Sequence, residues 1–145
     1  MITKTRREFS SHRAWFQNVI PDNVILCGVS ALEYLEMFTG YFDEKIIDVY
    51  AKEKGEYENI NYNIVDNFNN INYTRYGNIL CTTFEQTLND MLLNLNDIDE
   101  MALTEALSNY YFSHNESFDG LNIYPENKSA FEYIKPLAAQ YYCGG

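Results

Sequence analysis

The chain has 145 residues, a length that fits one domain and excludes a large multidomain enzyme. Hydrophobic residues make up 46% of it, which disfavours intrinsic disorder and predicts a packed core. Ten Lys and Arg residues against 21 Asp and Glu give a net charge of −11, which argues against broad binding to nucleic acid or to anionic lipid.

The N-terminal segment and the cysteines predict the compartment. The first residues are charged and lack the apolar run of a secretory signal, and no apolar run approaches the roughly 20 residues that span a bilayer. Cys27, Cys81 and Cys143 are an odd number without CxxC spacing, which favours reduced thiols over a disulfide framework. We therefore expect a cytoplasmic protein that does not bind a membrane.

The first third of the chain predicts helix, strand and helix. Residues 5–18 have the apolar spacing of a short amphipathic helix. Residues 24–27 form a compact apolar run that predicts a buried strand closed by a turn. A capping box of Ser30 and Glu33 then predicts the start of a helix over residues 31–38.

The middle of the chain changes to the period of two that is typical of strands. Residues 45–50 are β-branched, and residues 60–64 alternate between apolar side chains and asparagine. Residues 71–76 and 79–82 continue this pattern on either side of a Gly77-Asn78 turn. The pattern predicts a small sheet of four or five strands.

The C-terminal third predicts three helices. The first starts from a capping box at Thr82, and the second starts at Asp97. The last covers residues 129–142, where Pro136 is expected to kink it or divide it at the preceding lysine.

These elements predict an α+β fold with a small, mostly antiparallel sheet. An N-terminal helix, a helix after the first strand and a C-terminal helical segment flank the sheet. We expect a single domain over residues 1–145, with three parts. They are a basic N-terminal helix (1–20), a strand-helix-sheet region (22–82) and an acidic helical region (83–145).

One arrangement resembles the start of the nucleotidyltransferase fold. Gly28-Val29-Ser30 stands at a predicted helix start, and Asp48 follows on a strand. In that family a Gly-Ser turn holds phosphates and paired carboxylates hold magnesium, but Tyr50 occupies the position of the second carboxylate here. Asp66 is the candidate for a further ligand. The alternative is that Ser30 only caps a helix and Asp48 is a strand-edge charge, so we predict no catalytic residue, no metal and no cofactor.

Two longer blocks are similar to the C-terminal domain of AbiEi-type abortive-infection antitoxins. Residues 24–38 match the "SAL" helix of that family, and residues 77–92 match its strand, its Thr-Ser/Thr turn and its E-x-T-L-x-D-L-L helix. Residues 105–110 continue the helical tail. The resemblance implies a domain that supports antitoxicity against a nucleotidyltransferase toxin and has no catalytic residues. That family usually carries an N-terminal winged helix that binds operator DNA, for which the first 20 residues are too few.

Charge is distributed unevenly along the chain. Between Gly77 and Asn127 there are nine Asp and Glu residues and no Lys or Arg. This stretch is either a solvated helical surface or a face that docks on a basic groove. The candidate partner-binding residues of this acidic and aromatic face are Asp97, Asp99, Glu100, Glu105, Tyr110, Tyr111, Glu116 and Asp119. A small basic patch is predicted at the other end of the chain, from Arg6, Arg7 and Arg13.

Together these features favour a non-enzymatic protein-binding module of bacterial defence or counter-defence, similar to an antitoxin. Its expected partner is a basic, nucleic-acid-handling protein such as a toxin or a nuclease, and a homodimer is plausible from the aromatic content. One alternative is an acidic phage-encoded inhibitor, either an anti-CRISPR or a DNA mimic. A second alternative is a degenerate nucleotidyltransferase that uses Ser30, Asp48 and Asp66.

Overall fold

The computed structural model describes residues 12–21, 23–39, 46–95 and 98–141. The α-helices in these ranges are α1 (His12–Val19), α2 (Gly28–Tyr34), α3 (Phe84–Leu93), α4 (Glu100–Ser113) and α5 (Lys128–Ala139). The strands are β1 (Ile25–Leu26), β2 (Ile47–Ala51), β3 (Ile60–Ile64), β4 (Tyr73–Tyr76) and β5 (Ile79–Thr82). A short 3-10 turn, Pro125–Asn127, leads into α5.

The five strands form one sheet in the order β3-β2-β1-β5-β4. Two pairs, β1 with β2 and β4 with β5, are antiparallel, while β1 with β5 and β2 with β3 are parallel. The α+β class and the flanking helices are confirmed, and the sheet is mixed. Gly77 adopts a left-handed φ of 63° in the turn between β4 and β5, as the Gly-Asn pair predicts.

Two hydrophobic clusters hold the described fold together. The first packs Trp15 and Phe16 of α1 against the sheet, together with Tyr34 of α2. The second joins α2, α3, α4 and α5 and contains Leu32 and Leu103. Helix α2 therefore connects the clusters, because Tyr34 belongs to one and Leu32 to the other. The remaining fully buried side chains of these clusters include Leu26, Val49, Cys81, Leu88, Leu107 and Ile134.

Helix α2 begins at Gly28, two residues before Ser30. The predicted capping box of Ser30 and Glu33 is therefore wrong. Cys27 occupies the N-cap position without a side-chain cap. Ser30 lies inside the helix, where its hydroxyl oxygen accepts a hydrogen bond from the backbone N–H of Asp48 at 2.8 Å. A serine hydroxyl can accept a hydrogen bond from a backbone N–H at its own helix start or from one in a neighbouring strand. Here it accepts from the strand.

The next two helices, in contrast, start slightly later than their capping patterns predict. Thr83 caps α3 and accepts a hydrogen bond from the N–H of Gln86, whereas Thr82 ends β5 with its hydroxyl against that of Thr87. Asp99 caps α4. Asp97, the predicted start, lies outside the described residues, and so do residues 1–11 of the predicted first helix.

Helix α5 continues through Pro136 to Ala139, so of the two predicted effects of this proline, a kink or a division at Lys135, the division does not occur. Proline at this position removes one hydrogen-bond donor from the helix. Burial of Ile134 and Ala138 on either side of it anchors both parts of the helix to the second cluster.

Candidate functional site

A cavity of about 530 Å³ opens between the sheet and the start of the acidic region. One wall is the face of β2 and β3 that carries Asp48, Tyr50, Asn61 and Asn63. Helix α3 and the residues before α4 form the opposite wall, with Asp90 among them. Its size falls in the usual range of small-ligand pockets. We call this cavity the cleft.

The register of β2 and β3 determines the polar wall. Asp48 lies opposite Asn61, and Tyr50 lies opposite Asn63, so that all four side chains share one face of the sheet. The amide of Asn61 donates a hydrogen bond to Asp48 Oδ1 at 3.2 Å. The amide of Asn63 donates to the carbonyl of Val49 at 3.1 Å. The asparagine carbonyl oxygens remain as acceptors on this wall.

The first residues of helix α2 contact Asp48. The Ser30 hydroxyl accepts from the Asp48 N–H, and Gly28 lies beside the carboxylate. Gly28 has a left-handed φ of 54°, and a Cβ at this position would lie 3.5 Å from Asp48 Oδ2. The contact is an ordinary one, so it is the left-handed backbone, which strains any other residue, that explains the glycine.

A second carboxylate faces the sheet from α3. Asp90 accepts a hydrogen bond from the Tyr50 hydroxyl at 2.7 Å and another from the Gln86 amide at 2.9 Å. Gln86 in turn accepts from the backbone N–H of Asn72 at 2.9 Å. These bonds fix Asp90 between the helix and the sheet, so that Asp48 and Asp90 stand on opposite walls of the cleft.

Burial makes the ionised form of both carboxylates costly. It raises the pKa of Asp48, against the opposing effect of the Asn61 hydrogen bond. Burial likewise raises the pKa of Asp90, while the bonds from Tyr50 and Gln86 lower it. None of the described residues that line the cleft is Lys, Arg or His. The cleft therefore groups the side chains of Asp48, Asp90 and Asp99 with no basic side chain among its described lining residues.

We expect Asp48→Asn to raise the melting temperature at pH 7. Asparagine keeps the shape and the Oδ1 acceptor, but it has no charge to desolvate. The pKa of Asp48 is higher in the folded than in the unfolded chain. Wild-type stability therefore falls as the pH rises from the unfolded-state pKa of Asp48 through its folded-state pKa. Thermal melts should show a difference that shrinks as the pH is lowered. Glu116→Gln, on the exposed surface, is the matched control, and a lower melting temperature for Asp48→Asn would contradict the prediction.

The structure brings only part of the nucleotidyltransferase-like set together. Gly28 and Asp48 line the cleft, and Tyr50 stands beside them where that family has a carboxylate. Asp66, the candidate for a further ligand, follows the end of β3 at Ile64 and is an exposed residue that does not line the cleft. In the described ranges, no group of three His, Cys, Asp or Glu side chains is arranged to hold a metal ion.

The predicted acidic face is divided among several environments. Glu105 is only 7% exposed and accepts hydrogen bonds from Thr39 and from the Tyr141 hydroxyl, so its place on a docking surface is wrong. Asp99 caps α4 and also lines the cleft. Glu100 is half-buried and accepts from the hydroxyl of Tyr133 at 3.3 Å.

The exposed residues of the predicted acidic face lie just after the C-terminal end of α4. Glu116 and Asp119 are exposed. Tyr110 is half-buried between Phe84 and His114, and Tyr111 is half-buried against neighbouring aromatic rings. These tyrosines stabilise the acidic loop, because the Tyr110 hydroxyl donates to the Asp119 carbonyl at 2.7 Å.

The predicted basic patch is described only at Arg13. Its guanidinium carbon lies 4.6 Å from the ring centre of Tyr34 and 5.3 Å from that of Tyr76. These are cation–π contacts within the fold, so Arg13 is not a freely exposed charge. Arg6 and Arg7 lie outside the described residues.

Comparison with protein-family models, with curated proteins and with solved structures finds no match to the chain. Across the described ranges, no helix has the length and apolar character needed to cross a bilayer.

Proposed function

We propose that the chain is a non-enzymatic, antitoxin-like module of bacterial defence or counter-defence that binds a basic, nucleic-acid-handling protein in the cytoplasm. The observation that carries the proposal is the one-signed charge between Gly77 and Asn127, where no Lys or Arg balances nine acidic residues. An excess of acidic charge attracts a basic groove at long range and raises the association rate.

Two acidic regions of the fold support this role. The segment between α4 and α5 exposes Glu116 and Asp119 in its loop and Glu126 in its 3-10 turn. The cleft adds the carboxylates of Asp48 and Asp90 near the start of α4. Half-buried carboxylates with no basic side chain among the described residues of the cleft reduce stability, and side chains of that kind are typical of binding sites, where function offsets the loss.

Partner capture from the native host tests the proposal. Wild-type protein should recover a basic toxin or nuclease at low salt and lose it at high salt, because screening weakens surface charge interactions. The variant Glu116→Gln/Asp119→Asn/Glu126→Gln should recover much less of the same protein. A matched variant, Glu53→Gln/Glu56→Gln/Glu58→Gln, neutralises three acidic residues outside both regions and should recover as much as the wild type. Equal recovery by all three proteins would contradict the proposal.

A nucleotidyltransferase is the rival function, and the meeting of Gly28 and Asp48 in one cleft favours it. Magnesium-dependent incorporation of a labelled nucleotide, abolished by Asp48→Ala, would establish that activity and overturn the non-enzymatic proposal. We expect no incorporation above background from wild type, because Tyr50 replaces the second carboxylate and Asp66 does not line the cleft.

A further inference from the structure

We propose that the cleft binds the guanidinium group of an arginine side chain that the partner protein inserts between β2, β3 and α3. This inference rests on the proposed function, because it assigns the point at which a basic partner is anchored. It concerns the cleft alone, and the exposed acidic loop after α4 contributes only long-range attraction.

The hydrogen-bonding groups of the cleft select a ligand rich in donors. Three asparagines line it, and each uses at least one of its two amide N–H donors within the protein. Asn61 donates to Asp48, Asn63 donates to the Val49 carbonyl, and Asn94 donates to the Asp90 carbonyl at 3.2 Å. The three amide carbonyl oxygens and the carboxylates of Asp48, Asp90 and Asp99 give the lining more acceptors than donors. A guanidinium group has five N–H donors and no acceptor, which suits this excess.

The walls also suit the rest of an arginine side chain. Val29, Met91 and Ile98 line the cleft and provide apolar surface for the methylene carbons. Tyr50 adds an aromatic ring to the wall that carries Asp48. The cavity of about 530 Å³ has room for a whole side chain rather than for a bare ion.

The positions of the carboxylates favour arginine over lysine. Asp48 projects from the sheet and Asp90 from α3, on opposite walls. A planar guanidinium can donate in several directions in one plane and so can reach acceptors on both walls. A lysine ammonium is a compact charge with three donors and would satisfy fewer of them. An anionic ligand such as a nucleotide would meet the carboxylates with charge of the same sign.

The test is an NMR titration of the full chain with N-acetyl-arginine amide, with N-acetyl-lysine amide as the matched probe. The arginine compound should shift the side-chain amide signals of Asn61 and Asn63, and the lysine compound should bind several-fold more weakly. Asp48→Asn and Asp90→Asn should each weaken arginine binding about tenfold, as expected when a hydrogen bond to a charged group is lost. Glu53→Gln, at an exposed residue outside both acidic regions, should bind like the wild type.

Equal responses to arginine and lysine, or shifts located outside the cleft, would overturn the proposal. Shifts of the same amides by magnesium and a nucleoside triphosphate, with none from arginine, would overturn it in favour of a nucleotide site. The two proposals fail separately. If arginine does not bind but partner capture is still salt-sensitive, only the proposed arginine pocket is wrong. If arginine binds but no partner is captured, the proposed function is wrong. A melt of each variant shows that it is folded.

Discussion

Replacing Asn89 with aspartate is expected to destabilise the fold by about 3 kcal/mol or more. Asn89 is 2% exposed, and its amide donates to the carbonyls of Glu85 at 3.0 Å and Asn122 at 2.9 Å. Its carbonyl oxygen accepts from the Tyr124 N–H and from the Asn127 amide. Aspartate keeps the shape but loses both donors, and it places a negative charge against two carbonyl oxygens.

Urea denaturation monitored by circular dichroism measures this effect. Asn70→Asp, an exposed position with the same chemical change, is the control and should stay within about 0.5 kcal/mol of wild type. An equal loss in the two variants would show that net charge, rather than the hydrogen bonds of Asn89, determines the result.

Leu103→Ala is expected to cost about 2–5 kcal/mol. Leu103 is completely buried in the second cluster, where α4 packs against α2, α3 and α5. Removing three carbons leaves a cavity that the surrounding helices cannot fill, so that packing is lost in addition to burial.

Met101→Ala, in the same helix, is the matched control for this substitution. Met101 is 59% exposed, so its truncation should change the free energy of unfolding by less than about 0.5 kcal/mol. Denaturant midpoints of the two variants test the orientation of α4. Similar losses at both positions would contradict the assignment of Leu103 to the core.

The elements of this fold could largely be predicted from the sequence, whereas their first residues could not. Periodicity identifies the strands and helices because burial acts on whole faces. A helix start depends on one side chain, and two hydroxyls that could cap a helix instead bond elsewhere. Ser30 bonds to the β2 backbone, and Thr82 bonds to Thr87. The group to which each hydroxyl bonds depends on tertiary contacts, and these cannot be read from a local sequence pattern.

The candidate site was only partly predictable. Asp48 was identified from its position after Gly28, but Asn61, Asn63 and Asp90 were not. The asparagines alternate with apolar residues, which is also the pattern of a strand facing solvent. Asp90 meets Tyr50 across a separation of 40 residues, and only the packing of α3 on the sheet brings them together. Charge alone also placed Glu105 on the surface, although Thr39 and Tyr141 donate to it inside the fold.

We propose that an acidic surface with a carboxylate-lined cleft binds a basic protein. The most direct test is the dissociation constant of the wild-type chain for its purified partner, measured at low and at high ionic strength. We expect affinity to fall by about tenfold or more as the screening length shortens from ~30 Å at 0.01 M salt to ~3 Å at 1 M. An affinity that does not change with salt would contradict the claim.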